Sequence, residues 1–288
     1  MSGIRRLIPH LFTAGNLVGG IFAIILTIKG YVHLAPFAIF ASAILDFLDG
    51  FVARLLGVPS ELGKQLDSLA DMVTFGVAPG LIVYQLLKTI PALESFMFIR
   101  SITGRSGELF PNKYDVLCTM EETPFTSYCT SPEYILLPFV GLIIPVFAMF
   151  RLAKFNLDTR QTNSFIGLPT PAMTIFIAAL PLMIYLGLSE KGFFYDLTTE
   201  VLLNKWFLIG SSVILSILMV VPLPLFSLKF KSFGWKGNEI RYIFLTISVG
   251  LLATLFVWAL PLIIILYLLL SVLNNVLNKP ENEIQSGN

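Results

Sequence analysis

The sequence predicts an all-α, polytopic integral membrane bundle of about eight transmembrane helices. Three observations carry that expectation. Of the 288 residues, 56% are hydrophobic and 13% charged, where a soluble domain keeps roughly a quarter of its residues charged, and the mean hydropathy is +0.82. Apolar runs close to the roughly 20 residues that cross a bilayer recur along the chain. The basic residues are asymmetric too: with the amino terminus inside, twelve of the 19 lysines and arginines fall on inner segments, which places both termini in the cytoplasm.

The opening MSGIRRLIPH carries Arg5 and Arg6 and runs into an apolar stretch too long for a signal core. The first helix, 11–29, is therefore expected to be retained, with its basic flank inside. The second span, 33–56, ends at LLGVPS, where Gly57 and Pro59 break the helix and Ser60 is a suitable N-cap for the third, 64–88. Gly76, Pro79 and Gly80 are expected to bend or thin that third helix for close packing. The outer connection 90–132 is long for a compact bundle. It holds both cysteines, Cys118 and Cys129, either a disulfide closing the loop in an oxidising compartment or two free thiols. With no CxxC spacing, and with His10 and His33 far from either cysteine, zinc is not expected. Spans at 133–154, 169–188 and 204–223 follow. The last apolar run is too long for one pass and is divided at Pro261 into 241–259 and 260–277, the alternative being a single kinked, tilted helix. Residues 1–277 thus read as one membrane-embedded domain, with 90–132 as an insertion and 278–288 as a polar, disordered tail. The net charge of +1 gives no sign of a nucleic-acid partner.

Against this apolar background, residues 44–76 carry Asp46, Asp49, Asp67 and Asp71. On a helix, Asp46, Asp49, Gly50, Ala53 and Arg54 fall within an arc of about 140°. Gly63, Asp67 and Asp71 share one face of the next helix at i, i+4, i+8. Two antiparallel neighbours joined by a short turn would bring the faces together, about three turns below the membrane surface. A charged group deep in a span costs at least ~2.5 kcal/mol, so the cluster needs a counter-charge. One or two divalent cations supply it, and oxygen ligands without imidazole or thiolate select Mg²⁺ or Mn²⁺. Gly50 and Gly63 leave bare backbone for a ligand to approach, and Arg54 offers a fork suited to phosphate. Together these describe a diphosphate site. Two other uses of the acids are a buried ion network, for which only Arg54 and Lys64 lie nearby, and a divalent-cation transport pathway. The latter leaves unexplained why Gly50, Ala53, Arg54 and Gly63 share the acidic face.

The pattern D-x-x-D-G-x-x-A-R followed by G-x-x-x-D-x-x-x-D stands here as Asp46, Asp49, Gly50, Ala53, Arg54, Gly63, Asp67 and Asp71. It resembles the signature of the CDP-alcohol phosphatidyltransferase family. The stretches IPHLFTAGNLVGG, DMVTFGVAPG, RLAKFNLDTRQTNSFIGLPTPA and VPLPLFSLKFK resemble its serine-using branch, in which an asparagine is common in place of His10. The resemblance covers nearly the whole chain except 90–132. It implies that Asp46, Asp49, Asp67 and Asp71 hold two divalent ions, Mg²⁺ or Mn²⁺, bridging the diphosphate of CDP-diacylglycerol. It further implies that Gly50, Ala53, Arg54, Ser60 and Gly63 line the CDP pocket and that Asp71 doubles as general base. The activity implied is transfer of the phosphatidyl group to L-serine with release of CMP, by a homodimer among membrane lipids.

The acceptor is decided elsewhere. The segment MFRLAKFNLDTR gathers Arg151, Lys154, Asn156 and Arg160 near the same membrane face. It is either a basic anchor against anionic headgroups or, as the surrounding branch pattern suggests, the serine site, with Arg151 and Lys154 on the carboxylate and Asn156 placing the amino acid. Inositol, inositol phosphate or glycerol 3-phosphate are the alternative acceptors. Asn16, inside the first span, either touches the nucleotide or bonds a neighbouring helix. Lys229 and Lys231 are most simply an inner-face anchor.

Overall fold

The computed structural model describes residues 2–103, 135–157, 165–189, 192–226, 234–235 and 238–277. The expectations for Cys118, Cys129, Arg160, Lys229, Lys231 and the tail fall outside these residues. Helices α1 (Ser2–Ile28) and α2 (Ala35–Leu55) form an antiparallel pair. Gly15 lies against Leu45 and Gly19 against Ser42, small residues that let the two backbones approach. After a turn at Leu56–Ser60, α3 (Glu61–Asp71) passes through a π-helical turn (Met72–Val77) into α4 (Ala78–Thr103). The α4 helix thus runs well past the expected end at 88 into the segment read as outer loop. A helix already hydrogen-bonded at a membrane boundary propagates at little cost, and apolarity alone does not mark its end.

A 3₁₀ turn (Leu137–Leu142) leads into α5 (Ile143–Leu157). A two-residue antiparallel ladder, β1 (Phe165–Ile166) with β2 (Pro224–Leu225), joins the connections before α6 (Thr170–Gly187) and after α8 (Lys205–Val220). Between α6 and α8 lie the five-residue α7 (Phe193–Leu197) and a π-helical turn (Thr198–Leu202), elements too short for periodicity to reveal. Helix α6 is central and packs against α2, α4, α5, α8 and α10. Its sequence is apolar on every face because every face is covered, with Met173, Ile177, Leu180 and Ile184 buried. At the bundle end where α1 meets α2, His33 stacks on Tyr185 with ring centroids 4.7 Å apart. Burial there lowers the pKa of the His33 imidazole and favours its neutral form.

Six stretches are long and apolar enough to cross a membrane, and the pair Phe193–Leu202 with Lys205–Val220, bent by 72°, makes a seventh if taken as one span. The final stretch, Glu239–Val276, folds back on itself. Phe244 on α9 (Glu239–Leu255) and Tyr267 on α10 (Ala259–Leu277) have ring centroids 5.8 Å apart. A continuous helix would separate them by about 35 Å. With the arms of this hairpin counted separately and the bent pair counted as one span, the described residues hold eight apolar passes, the number expected. The reversal is at Phe256–Trp258, with Phe256 at φ 51°, and not at Pro261. Pro261 instead sits in the first turn of α10, where a missing N–H is tolerated.

The expected thinning of the third helix is present as direct backbone contact. A Cβ on Gly141 would lie 2.5 Å from Gly80 O and 2.8 Å from Tyr84 N. Because both obstacles are backbone, Gly141→Ala is expected to destabilise the bundle by about 1–3 kcal/mol. A lowered unfolding temperature in detergent is the readout, and an unchanged one contradicts this contact.

Candidate functional site

The turn between α2 and α3 sets the site. Gly57 adopts φ 64°, and the Ser60 side chain accepts a hydrogen bond from Gly63 N at 3.0 Å, the N-cap expected of it. From that cap α3 runs back along α2, and the two acidic faces meet as the spacing required. Asp46, Asp49 and Asp67 each present a carboxylate oxygen within 4.8 Å of the others, a group that could hold a metal ion. Asp46 is also within hydrogen-bonding reach of both Asp67 and Asp71. Among the described residues no lysine or arginine lies at ion-pair distance from the four acids. One buried oxygen, Asp67 Oδ1, has no hydrogen-bond partner. An all-oxygen set with an orphaned lone pair fits a hard divalent cation and does not fit a self-neutralised ion network.

Helix α1 contributes what the sequence reading largely missed. The Thr13 hydroxyl donates to Asp49 Oδ2 at 2.6 Å, and Asn16 Nδ2 donates to Asp71 Oδ1 at 3.1 Å. Asn16 therefore bonds a neighbouring helix, one of its two expected roles. Its own Oδ1 is buried without a partner. Thr74 in the π turn donates to the Asn16 carbonyl at 3.1 Å, fixing α1 against the residues that follow Asp71. The only signal in the sequence was that Thr13 and Asn16 are polar and three residues apart on an apolar helix. His10 also reaches the site: a Cβ on Gly63 would lie 3.3 Å from His10 Cε1 and 3.1 Å from Ser60 Oγ. Gly50 differs, since a Cβ there would meet only the Arg54 guanidinium, at an ordinary 3.7 Å. Among the described residues no neighbour forbids a side chain at Gly50, so bare backbone there faces open space beneath a cation. Ala53 is half-buried, and Arg54 and Ser60 are exposed.

The residues expected to meet the acceptor separate. Arg151 is only 8% exposed, donates from Nη1 to Thr170 Oγ1 at 3.3 Å and lies 5.6 Å from the Phe155 ring. Its buried Nε has no partner. Lys154 is exposed. Asn156 Nδ2 donates to Ser68 Oγ at 2.8 Å, and the Asn156 carbonyl accepts from Lys64 Nζ at 2.9 Å, so its polar groups clasp α5 to α3.

Comparison with known proteins bears on this geometry. The sequence profile described as CDP-alcohol phosphatidyltransferase matches residues 6–110, which include all four aspartates. A CDP-diacylglycerol–serine O-phosphatidyltransferase of Bacillus subtilis (strain 168) is 30% identical over 67% of this chain and 88% of its own length. The protein of the same description from Helicobacter pylori (strain J99) is 32% identical over 74% of this chain and 69% of its own length. An archaetidylserine synthase of Methanothermobacter thermautotrophicus is 26% identical over 60% of this chain and 56% of its own length.

Proposed function

From the premise that the chain belongs to the CDP-alcohol phosphatidyltransferase family, we propose that it makes phosphatidylserine by transferring the phosphatidyl group of CDP-diacylglycerol to L-serine, with release of CMP. The observation that carries the reading is the meeting of Asp46, Asp49 and Asp67 from two successive spans within 4.8 Å. Asp46, Asp49, Asp67 and Asp71 would hold Mg²⁺ or Mn²⁺, two ions in all. Such ions, when bound, neutralise the diphosphate charge and stabilise the oxygen on which CMP leaves. Gly50, Ala53, Arg54, Ser60 and Gly63 form the CDP pocket. Bare backbone at Gly50 admits the diphosphate beneath the Arg54 guanidinium, a cation shaped for phosphate oxygens.

Asp71 is the residue for the acceptor hydroxyl. The triad within 4.8 Å does not include it, and the Asn16 amide occupies its Oδ1. Asp71 takes the serine hydroxyl proton as the serine oxygen bonds to the phosphatidyl phosphorus. The bond from that phosphorus to the CMP oxygen breaks, and CMP departs with the electron pair. Arg151, buried and with a free Nε, receives the serine carboxylate. Lys154 and Asn156, also expected at the serine site, have weaker support there, one being exposed and the other engaged with Ser68. The site opens to the cytoplasm in this reading, where CDP and serine are soluble, and both acyl chains remain in lipid. Residues 1–277 act as one domain, and the active species is a homodimer.

The test is CMP release by the purified protein with CDP-diacylglycerol and Mn²⁺, given L-serine, inositol, inositol phosphate or glycerol 3-phosphate in turn. Release with serine alone is the expected result. Release with a different alcohol reassigns the acceptor, and metal uptake into vesicles without CMP under any condition makes the protein a transporter.

A further inference from the structure

Thr170 opens α6, the most enclosed helix of the bundle, and is itself fully buried. Its hydroxyl oxygen accepts from Arg151 Nη1 at 3.3 Å, and among the described residues its own proton has no acceptor. In the first turn Pro171 has no N–H and Met173 N donates to Pro169 O at 3.1 Å, so the N–H groups of Thr170 and Ala172 are the ones with no carbonyl inside the helix to receive them, and an 18-residue helix concentrates positive potential at that end. The Arg151 guanidinium that reaches Thr170 through Nη1 also keeps a buried Nε without a partner. Three kinds of donor thus converge, and among the described residues no carboxylate pairs with Arg151 at ion-pair distance. A buried cation with spare donors at a helix amino terminus is built to receive an anion.

The π turn after Asp71 fixes this corner relative to the acids. Thr174, one turn into α6, donates both to Thr170 O and to Phe75 O at 2.9 Å. Phe75 lies within the π turn (Met72–Val77) that directly follows Asp71. The opening of α6 is therefore tied to the segment that carries Asp71. A small acceptor bearing an anionic group at one end and a hydroxyl at the other would place the first on Thr170 and Arg151 and the second on Asp71.

We infer that Thr170 and the amino terminus of α6 complete, with Arg151, a carboxylate pocket that makes this chain select an amino-acid alcohol over one that lacks the carboxylate. The inference rests on the serine-forming reading above and adds to it a specificity residue outside the acidic motif. Thr170 gives the carboxylate a hydroxyl donor and holds one guanidinium nitrogen, leaving Nε and the remaining nitrogen to face the ligand.

The experiment compares L-serine with serinol, in which a second hydroxymethyl group replaces the carboxylate, using CDP-diacylglycerol and Mn²⁺. The wild-type protein is expected to favour L-serine strongly in kcat/KM. Thr170→Val is expected to raise the KM for L-serine about tenfold. The KM for CDP-diacylglycerol and the kcat stay as they were, and Thr170→Ser restores the wild-type KM. Three results overturn the inference: equal use of serine and serinol by wild type, an unchanged serine KM in Thr170→Val, or a loss shared equally by both substrates' KM values. The serine–serinol comparison on wild type decides the matter even if Thr170→Val does not fold. Wild type that releases no CMP with L-serine removes the serine-forming reading and this inference with it, whereas normal wild-type turnover beside an unaffected variant removes the inference alone.

Discussion

Asp67→Asn is expected to reduce CMP release by on the order of a thousandfold while the protein folds as before, or slightly more stably. The two halves of this expectation come from one observation. Asp67 Oδ1 is buried with no hydrogen-bond partner, so the amide replaces no protein contact through that atom. The substitution conserves volume, and it removes one of four neighbouring carboxylates that, among the described residues, no lysine or arginine offsets at ion-pair distance. Relief of like-charge repulsion raises or preserves the unfolding temperature in metal-free buffer. Losing a carboxylate from the triad of Asp46, Asp49 and Asp67 cuts its affinity for a hard cation, since an amide oxygen carries no full charge. CMP release and thermal unfolding measured on one preparation read both parts. Residual turnover above about a tenth of wild type would count against the acids as the metal site.

Arg151→Lys is expected to raise the KM for L-serine by roughly a hundredfold, with the KM for CDP-diacylglycerol nearly unchanged. Lysine keeps the positive charge, so the long-range electrostatics of the site survive. What is lost is the planar fork: one arm bonds Thr170 Oγ1 at 3.3 Å and another, Nε, is buried and unpartnered. An ammonium on a flexible stem satisfies a carboxylate from one point and cannot also hold Thr170 in the same geometry. Initial rates with each substrate varied in turn separate the two constants. A parallel rise in both, or wild-type kinetics, removes Arg151 from the acceptor site and leaves it a structural cation.

The acidic motif was legible because its information is local. Within one helix the i, i+4, i+8 spacing fixes which side chains share a face, and the Gly57–Ser60 break dictated that two such faces oppose each other. The final hairpin was legible in part. Run length demanded two passes, but the reversal sits at Phe256, whose positive φ no sequence rule assigns to a phenylalanine, so the visible proline drew the boundary too late. Contacts between helices distant in sequence were not legible. Thr13 on Asp49 and Thr170 on Arg151 depend on the rotation of α1 and α6 about their axes, which apolar runs do not specify; α6 in particular is apolar on every side. The π turn after Asp71 carries no composition of its own, since a single residue of helical offset separates it from an ordinary turn. Asn156 is a further case: its place beside Arg151 in sequence pointed to a ligand, while the packing of α5 on α3, which the sequence did not show, gives its amide to Ser68 at 2.8 Å.

The central claim is that carboxylates from α2 and α3 jointly hold a divalent cation, and Mn²⁺ binding followed by electron paramagnetic resonance tests it without reference to turnover. Titrating Mn²⁺ into purified wild-type protein should show saturable loss of the free-ion signal. Asp46→Asn on α2 and Asp67→Asn on α3 should each weaken it severely, because either helix alone supplies too few oxygens. Binding that is undiminished in both variants, or absent from wild type in the presence of CDP-diacylglycerol, would contradict the account.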